Sequence, residues 1–148
     1  MRVSHKWILE LTGLTVSPLE MSERLTRSGL EIDGIEPCGK GLDNVVLGEI
    51  VSKERHPDSE KLSLVQVRVG EHVASVVCGA PNCPGPGGLV AVALPGAKLS
   101  MGTVEKRKVA GVESHGMICS ELELGIGDSH EGVLILNGET DALPGTSL

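Results

Sequence analysis

The sequence predicts a mainly β chain: a small barrel of about five strands, preceded by a short α/β lead. Three observations predict it. Beyond Gly41, short apolar and β-branched runs recur at close spacing, punctuated by Gly, Pro, Asn and Asp. The stretch Leu62–Val69 alternates apolar and polar residues and enters Gly70-Glu71, a tight turn before Val73–Val77. Before Cys38 the apolar residues fall instead at helical spacing. The glycines of Cys38-Gly39-Lys40-Gly41 divide the two regimes, giving a lead over 1–38 and a barrel over 39–148.

In the lead, Ser4 can cap a helix running to about Leu11, with Trp7, Ile8 and Leu11 on one face. Ser17-Pro18-Leu19-Glu20 combines an N-cap, a proline at the first helical position and a glutamate placed for a capping box. Leu19, Met21, Leu25 and Leu30 continue that helix, and Gly29 stops it. Leu30–Ile35 alternates as a strand does.

In the barrel, Val45–Val51 is the first strand and His56-Pro57-Asp58-Ser59-Glu60-Lys61 a polar loop. The Leu62–Val77 hairpin follows. The run from Gly79 to Gly88 holds too many breakers for a helix. Leu89–Leu94 is the fourth strand, Val104–Val109 a further pairing segment, and Val133–Leu136 a last short strand. Ser120–Gly125 reads as one helical turn with its own capping box and glycine stop. Strand number and spacing suit the OB-fold, a five-stranded Greek-key barrel, although pattern alone does not separate it from an SH3-like barrel.

At 148 residues the chain can bury one real core. No apolar run reaches the roughly 18 residues of a membrane helix, and positions 1–16 carry charges where a secretory signal would not. A soluble, intracellular protein is expected. The net charge of −7 disfavours nucleic-acid binding by bulk charge. The charge is uneven, however: −2 over 1–38, +1 over 39–116 and −6 over 117–148. The middle can still face phosphates. With one Trp and no Phe or Tyr, any RNA contact relies on shape, backbone and hydrogen bonds rather than stacking.

The cysteines, Cys38, Cys78, Cys83 and Cys119, lack zinc-knuckle spacing and read as small buried apolar residues in a reducing compartment. No metal site is expected. His56 beside Asp58 and Glu60 has the composition of a general base, but Pro and Asp there serve a turn. The glycines around Asn82 are not followed by the Lys-Ser/Thr of a phosphate loop. Ser114-His115 invites a hydrolase reading without a nucleophile elbow to support it.

Taken together, HPDSEKL (56–62), VVCGAPN (76–82), VAVALPGAKL (90–99) and the run 111–136 resemble one family in order and spacing. They are similar to the tRNA-binding domain shared by phenylalanyl-tRNA synthetase β subunits, the C-terminal extension of some methionyl-tRNA synthetases and free-standing tRNA-binding proteins. The lead, from Met1 through Trp7 and then Ser28–Glu36, resembles the start of bacterial phenylalanyl-tRNA synthetase β subunits. The resemblance implies an OB-fold and a fragment of a longer subunit, ending just after the barrel. It implies a cytoplasmic α₂β₂ enzyme with an α subunit, further β domains and phenylalanine-specific tRNA as partners. ATP and magnesium would serve catalysis on other domains, so this fragment is expected to carry no catalytic site and no cofactor.

The residues expected to meet RNA are Lys53, Arg55 and Lys61 on phosphates, and His56 and Asn82 on bases or sugar hydroxyls. Lys98 and Lys106-Arg107-Lys108 add charge after the fourth strand, and serve equally as a solvated edge that resists aggregation. Ser120, in the family's Cys-Ser-Glu signature, caps its helical turn and shapes the surface, beside a Glu121 that would repel phosphate. Two other readings stand beside tRNA binding: an architectural domain with little tRNA contact, and a free-standing tRNA-binding protein.

Overall fold

The computed structural model describes residues 1–37, 41–136 and 142–148. The chain divides into two compact units, Met1–Cys38 and Gly39–Leu148. Its elements in order are α1 (His5–Thr12), α2 (Pro18–Arg27), β1 (Val45–His56), β2 (Ser59–Val69), β3 (His72–Cys78), β4 (Leu89–Ala93), β5 (Lys98–Leu99), β6 (Gly102–Thr103), β7 (Arg107–Val109), β8 (Val112–Ser114), β9 (Met117–Ile118) and α3 (Glu121–Leu124).

In the first unit, the Ser4 side chain accepts from the Trp7 N–H and Gly13 closes α1 in the left-handed conformation. Ser17 caps α2 by accepting from the Glu20 N–H at 3.2 Å, and Pro18 opens the helix. The expected capping box is only half made. The Glu20 carboxylate turns along the helix to Arg24, 2.6 Å away, instead of reaching back to the cap. Met21 is the one buried residue of the two helices, and Trp7, Leu11 and Leu19 stay exposed. Leu30–Ile35 forms no strand. Its alternation is real, but a strand needs a neighbour to take its backbone bonds, and this unit's described residues supply none.

In the second unit, five strands pair antiparallel in the order β3-β2-β1-β4-β9. The two edges of this sheet are joined by two bonds. The Val77 N–H on β3 donates to Ser114 Oγ at 3.1 Å, and the His115 N–H donates to the Ser75 carbonyl at 2.8 Å. The sheet thus curls into the partly open barrel of an OB-like fold. β4 is buried along nearly its whole length, Val90 and Val92 in one apolar cluster, Ala91 and Ala93 in another. Both of its faces are covered, which is why it reads as a continuous apolar run. The C-terminal segment completes the unit. Leu47 and Gly145 exchange backbone bonds with Thr146 and Leu47 respectively, and Val46 bridges Ser147.

The structure redraws several expected boundaries. β1 runs on to His56, so the expected loop shrinks to the Pro57-Asp58 turn and Ser59, Glu60 and Lys61 join β2. The segment expected over Val104–Val109 is split: Val104 exchanges backbone bonds with Gly96 and Ala97, and Arg107–Val109 pairs with β8. Val133–Leu136 makes one isolated bridge, Ile135 to Val90, rather than a strand. The α3 turn forms as read: Ser120 and Glu123 cap each other's backbone N–H, and Gly125 ends the turn at φ 67°.

At the centre of β1 stands Gly48. A Cβ there would lie 2.5 Å from Val67 on β2 and 2.6 Å from Val92 on β4, both fully buried. The two neighbouring side chains close over the glycine. Gly48→Ala is expected to lower the unfolding free energy by about 1–3 kcal/mol through overpacking, measured by urea titration followed by circular dichroism. An unchanged midpoint would show that this wall opens without cost.

Candidate nucleic-acid interface

Pairing register decides which basic side chains come together. Lys53 and Arg55 lie two residues apart on β1 and so share a face. Arg55 sits opposite Ser63 on β2, and Ser63 opposite Cys78 on β3. Beside Cys78, Val77 is bonded to Ser114, which is itself opposite Arg107 on β7. Arg55, Ser63 and Cys78 form one row across β1, β2 and β3, while Arg107 stands on the separate β7–β8 ladder. Lys61 lies two residues before Ser63 on β2, next to this row. Lys108 follows Arg107, opposite Glu113, and Lys106 precedes it.

Lys53, Arg55, Lys61, Lys106, Arg107 and Lys108 are all exposed, and among the described residues none is in an ion pair. Arg68, by contrast, is spent on Glu49 at 2.9 Å. Lys53 is partly committed, since its Nζ donates to the Cys83 carbonyl at 2.6 Å. Lys98 is exposed but stands on the separate β5–β6 ladder, opposite Thr103.

Three candidates are tied into the fold by their side-chain bonds. His56 is only 4% exposed. Its Nδ1 accepts from the Asp58 N–H at 3.1 Å, tying the ring to the turn between β1 and β2. Its Nε2 is buried, with no hydrogen-bond partner among the described residues. Asn82 has both amide groups on one residue: Nδ2 donates to the Val133 carbonyl at 3.0 Å, and Oδ1 accepts from the Val133 N–H at 2.8 Å. Ser120 is buried, and its hydroxyl serves Glu123 on both the backbone and the carboxylate. These bonds serve the fold, and for Ser120 that is the capping role expected from its motif. Composition shows that Asn82 can bond, but not that Val133, 51 residues on, is waiting for it.

Ser114 was the polar residue that sequence reasoning undervalued. Its hydroxyl donates to the Gly116 carbonyl at 2.9 Å while accepting from Val77, so it is a closure bolt and not a nucleophile for His115. His115 instead lies 3.5 Å from the Glu113 carboxylate. A depression of about 380 Å³ beside Asn82 is lined by Glu121 and Glu131 and is unsuited to phosphate. Cys78, Cys83 and Cys119 are buried and unpaired by disulfide; Cys38 lies outside the described residues. No helix among them is long and apolar enough to cross a membrane.

A curled sheet bearing exposed cations is an architecture of nucleic-acid-binding barrels, and comparison with known proteins places it. Residues 45–147 match the family model described as "Putative tRNA binding domain", and the chain belongs to this family. Its relatives include the phenylalanine–tRNA ligase beta subunits of Syntrophus aciditrophicus, 42% identical over 92% of this chain, and of Oceanobacillus iheyensis, 39% identical over all of it. The chain spans 17% and 19% of those two proteins. Among solved structures, a MetRS-related protein from Pyrococcus horikoshii shares the fold with a TM-score of 0.51 and 20% identity, over 70% of this chain and 87% of that one.

The Asn82 clamp is open to direct test. Asn82→Ala strands the N–H and carbonyl of Val133 and is expected to cost about 1–3 kcal/mol of stability. Affinity for tRNA, measured well below the unfolding midpoint, is expected to stay at the wild-type value. A loss of affinity with unchanged stability would return Asn82 to the RNA.

Proposed function

We propose that this chain is the tRNA-contacting front part of a phenylalanine–tRNA ligase β subunit, assisting attachment of phenylalanine to its tRNA. The exposed cations carry the reading: Arg55 and Lys61 on the main sheet, and Lys106, Arg107 and Lys108 on and beside the β7–β8 ladder. Among the described residues none of them is in an ion pair, which leaves them for phosphate, and no aromatic platform competes for the bases. Arg55 and Arg107 offer forked contacts to phosphate, while Lys61, Lys106 and Lys108 act as point charges. The full enzyme is an α₂β₂ assembly in the cytoplasm. Its α subunit and remaining β domains supply catalysis and editing, with ATP and magnesium bound there.

A second reading has its own support. Val3, Trp7, Leu11, Leu14, Leu19 and Leu30 are all exposed in the Met1–Cys38 unit. Such side chains suit burial against another part of a synthetase, and the chain would then serve assembly more than RNA.

The test is an NMR titration of the labelled chain with phenylalanine-specific tRNA at two salt concentrations. Salt-sensitive shifts are expected along Lys53–Lys61 and Lys106–Lys108, with a Kd in the roughly 10⁻⁴–10⁻⁶ M range of backbone contacts. Arg55→Ala and Arg107→Ala should each reduce the slope of log K against log salt by about 1. No shifts at high micromolar tRNA would favour the assembly reading. Isothermal titration with ATP or phenylalanine is expected to show no binding to this chain.

A further inference from the structure

The β7–β8 ladder is a short hairpin whose register is held at both ends. Val109 pairs with Val112 around Ala110-Gly111, and both turn residues have positive φ, 47° and 85°. Turns of this hand match the twist of the strands they join. Ala110 takes the left-handed region although it carries a Cβ, a conformation that persists where the surroundings fix it. At the other end Ser114 accepts from Val77, and the His115 N–H donates to the Ser75 carbonyl.

That register puts three side chains together. Lys108 stands opposite Glu113. His115 lies two residues beyond Glu113, on the same face by strand alternation, and its Nε2 is 3.5 Å from the Glu113 carboxylate. Lys108 and His115 are then diagonal neighbours, a relation that spans about 7–8 Å in an antiparallel pair. Glu113 adjoins both, opposite one and beside the other.

Neither cation holds that carboxylate firmly. The His115–Glu113 contact is longer than the roughly 2.7–3.2 Å of a good N–H···O bond. Its side chains are 38% and 61% exposed, and exposed pairs of this kind are weak. Lys108 is exposed and, among the described residues, in no ion pair.

On the basis of the tRNA contact proposed above, we infer that Lys108 and His115 together bind one phosphate of the RNA backbone, and that Glu113 faces this site in the free chain as a competing carboxylate that limits its affinity. The Lys108 ammonium and the His115 N–H are donors, and a phosphodiester oxygen accepts from both. A carboxylate is an acceptor of the same kind, so Glu113 answers the same donors while RNA is absent. An arriving phosphate displaces it, and the exposed side chain swings into water. Its charge stays close by and keeps the contact weak and quickly released. His115 is thereby a ligand and Glu113 a brake, beside the lysines and arginines of the tRNA reading.

The test measures affinity for phenylalanine-specific tRNA, by anisotropy of labelled tRNA, with the whole 148-residue chain and its variants. Glu113→Gln is expected to tighten binding about two- to fivefold, the range an exposed charge pair supports. Glu31→Gln makes the same change in net charge in the other compact unit and is expected to leave affinity unchanged. Lys108→Ala and His115→Ala should each weaken binding, and in either background the gain from Glu113→Gln should shrink. Circular dichroism confirms that each variant is folded, and the His115 imidazole resonances of the wild-type chain should shift on adding tRNA. Equal gains from Glu113→Gln and Glu31→Gln overturn the proposal, because bulk charge then accounts for both. So does wild-type affinity in Glu113→Gln, or in His115→Ala. Absence of binding by the wild-type chain and by every variant overturns the tRNA reading itself, and this site with it.

Discussion

A strand has two hydrogen-bonding edges, and the barrel depends on how β1 uses its own. One edge is given to β4 along Val45–Glu49. The other is divided: Glu49–His56 pairs with β2, and Val45–Leu47 bonds the segment Gly145–Leu148. Every other strand of the main sheet is attached through these bonds. Gly48 sits where the flanking strands crowd closest, and its missing side chain lets Val67 and Val92 meet across it. Gly145 repeats the device at the turn after β2, where a Cβ would stand 2.7 Å from the Gly70 nitrogen.

Polar side chains finish what the backbone ladder leaves open. Ser114 ties the two sheet edges, Asn82 ties the loop after β3 to Val133, and Lys53 ties that loop to β1. Each lies within or beside a sequence motif of the family. The residues most easily taken for RNA contacts on composition are thus partly occupied in shaping the surface. The side chains left without a structural bond are the plain exposed cations, Lys61 within a motif and Arg55 and Arg107 outside all of them.

Local chemistry was legible in the sequence, and distant pairing was not. Ser17-Pro18, the Ser120–Glu123 box and the Gly70-Glu71 hairpin were readable because each is settled within a few residues. Leu30–Ile35 and Val133–Leu136 have equally good strand patterns. They differ from Leu89–Ala93 only in having no long partner alongside, a fact that lies elsewhere in the chain. The candidate site followed the same rule. Which residues carry positive charge was plain, but their placement depends on the registers joining β1 to β2 and β7 to β8. The inward turn of His56 was hidden for a related reason, because the turn it belongs to proved to be two residues long and not six.

The chain's one aromatic side chain, Trp7, lies 58% exposed on α1, and the barrel contains no Trp, Tyr or Phe. Intrinsic fluorescence and near-ultraviolet aromatic absorption therefore report on the leading helices alone. The barrel is optically dark. A tryptophan placed by mutation on any barrel strand would be read against no native background from that unit, whether the signal followed unfolding, quenching by a nucleotide base or energy transfer to a labelled RNA.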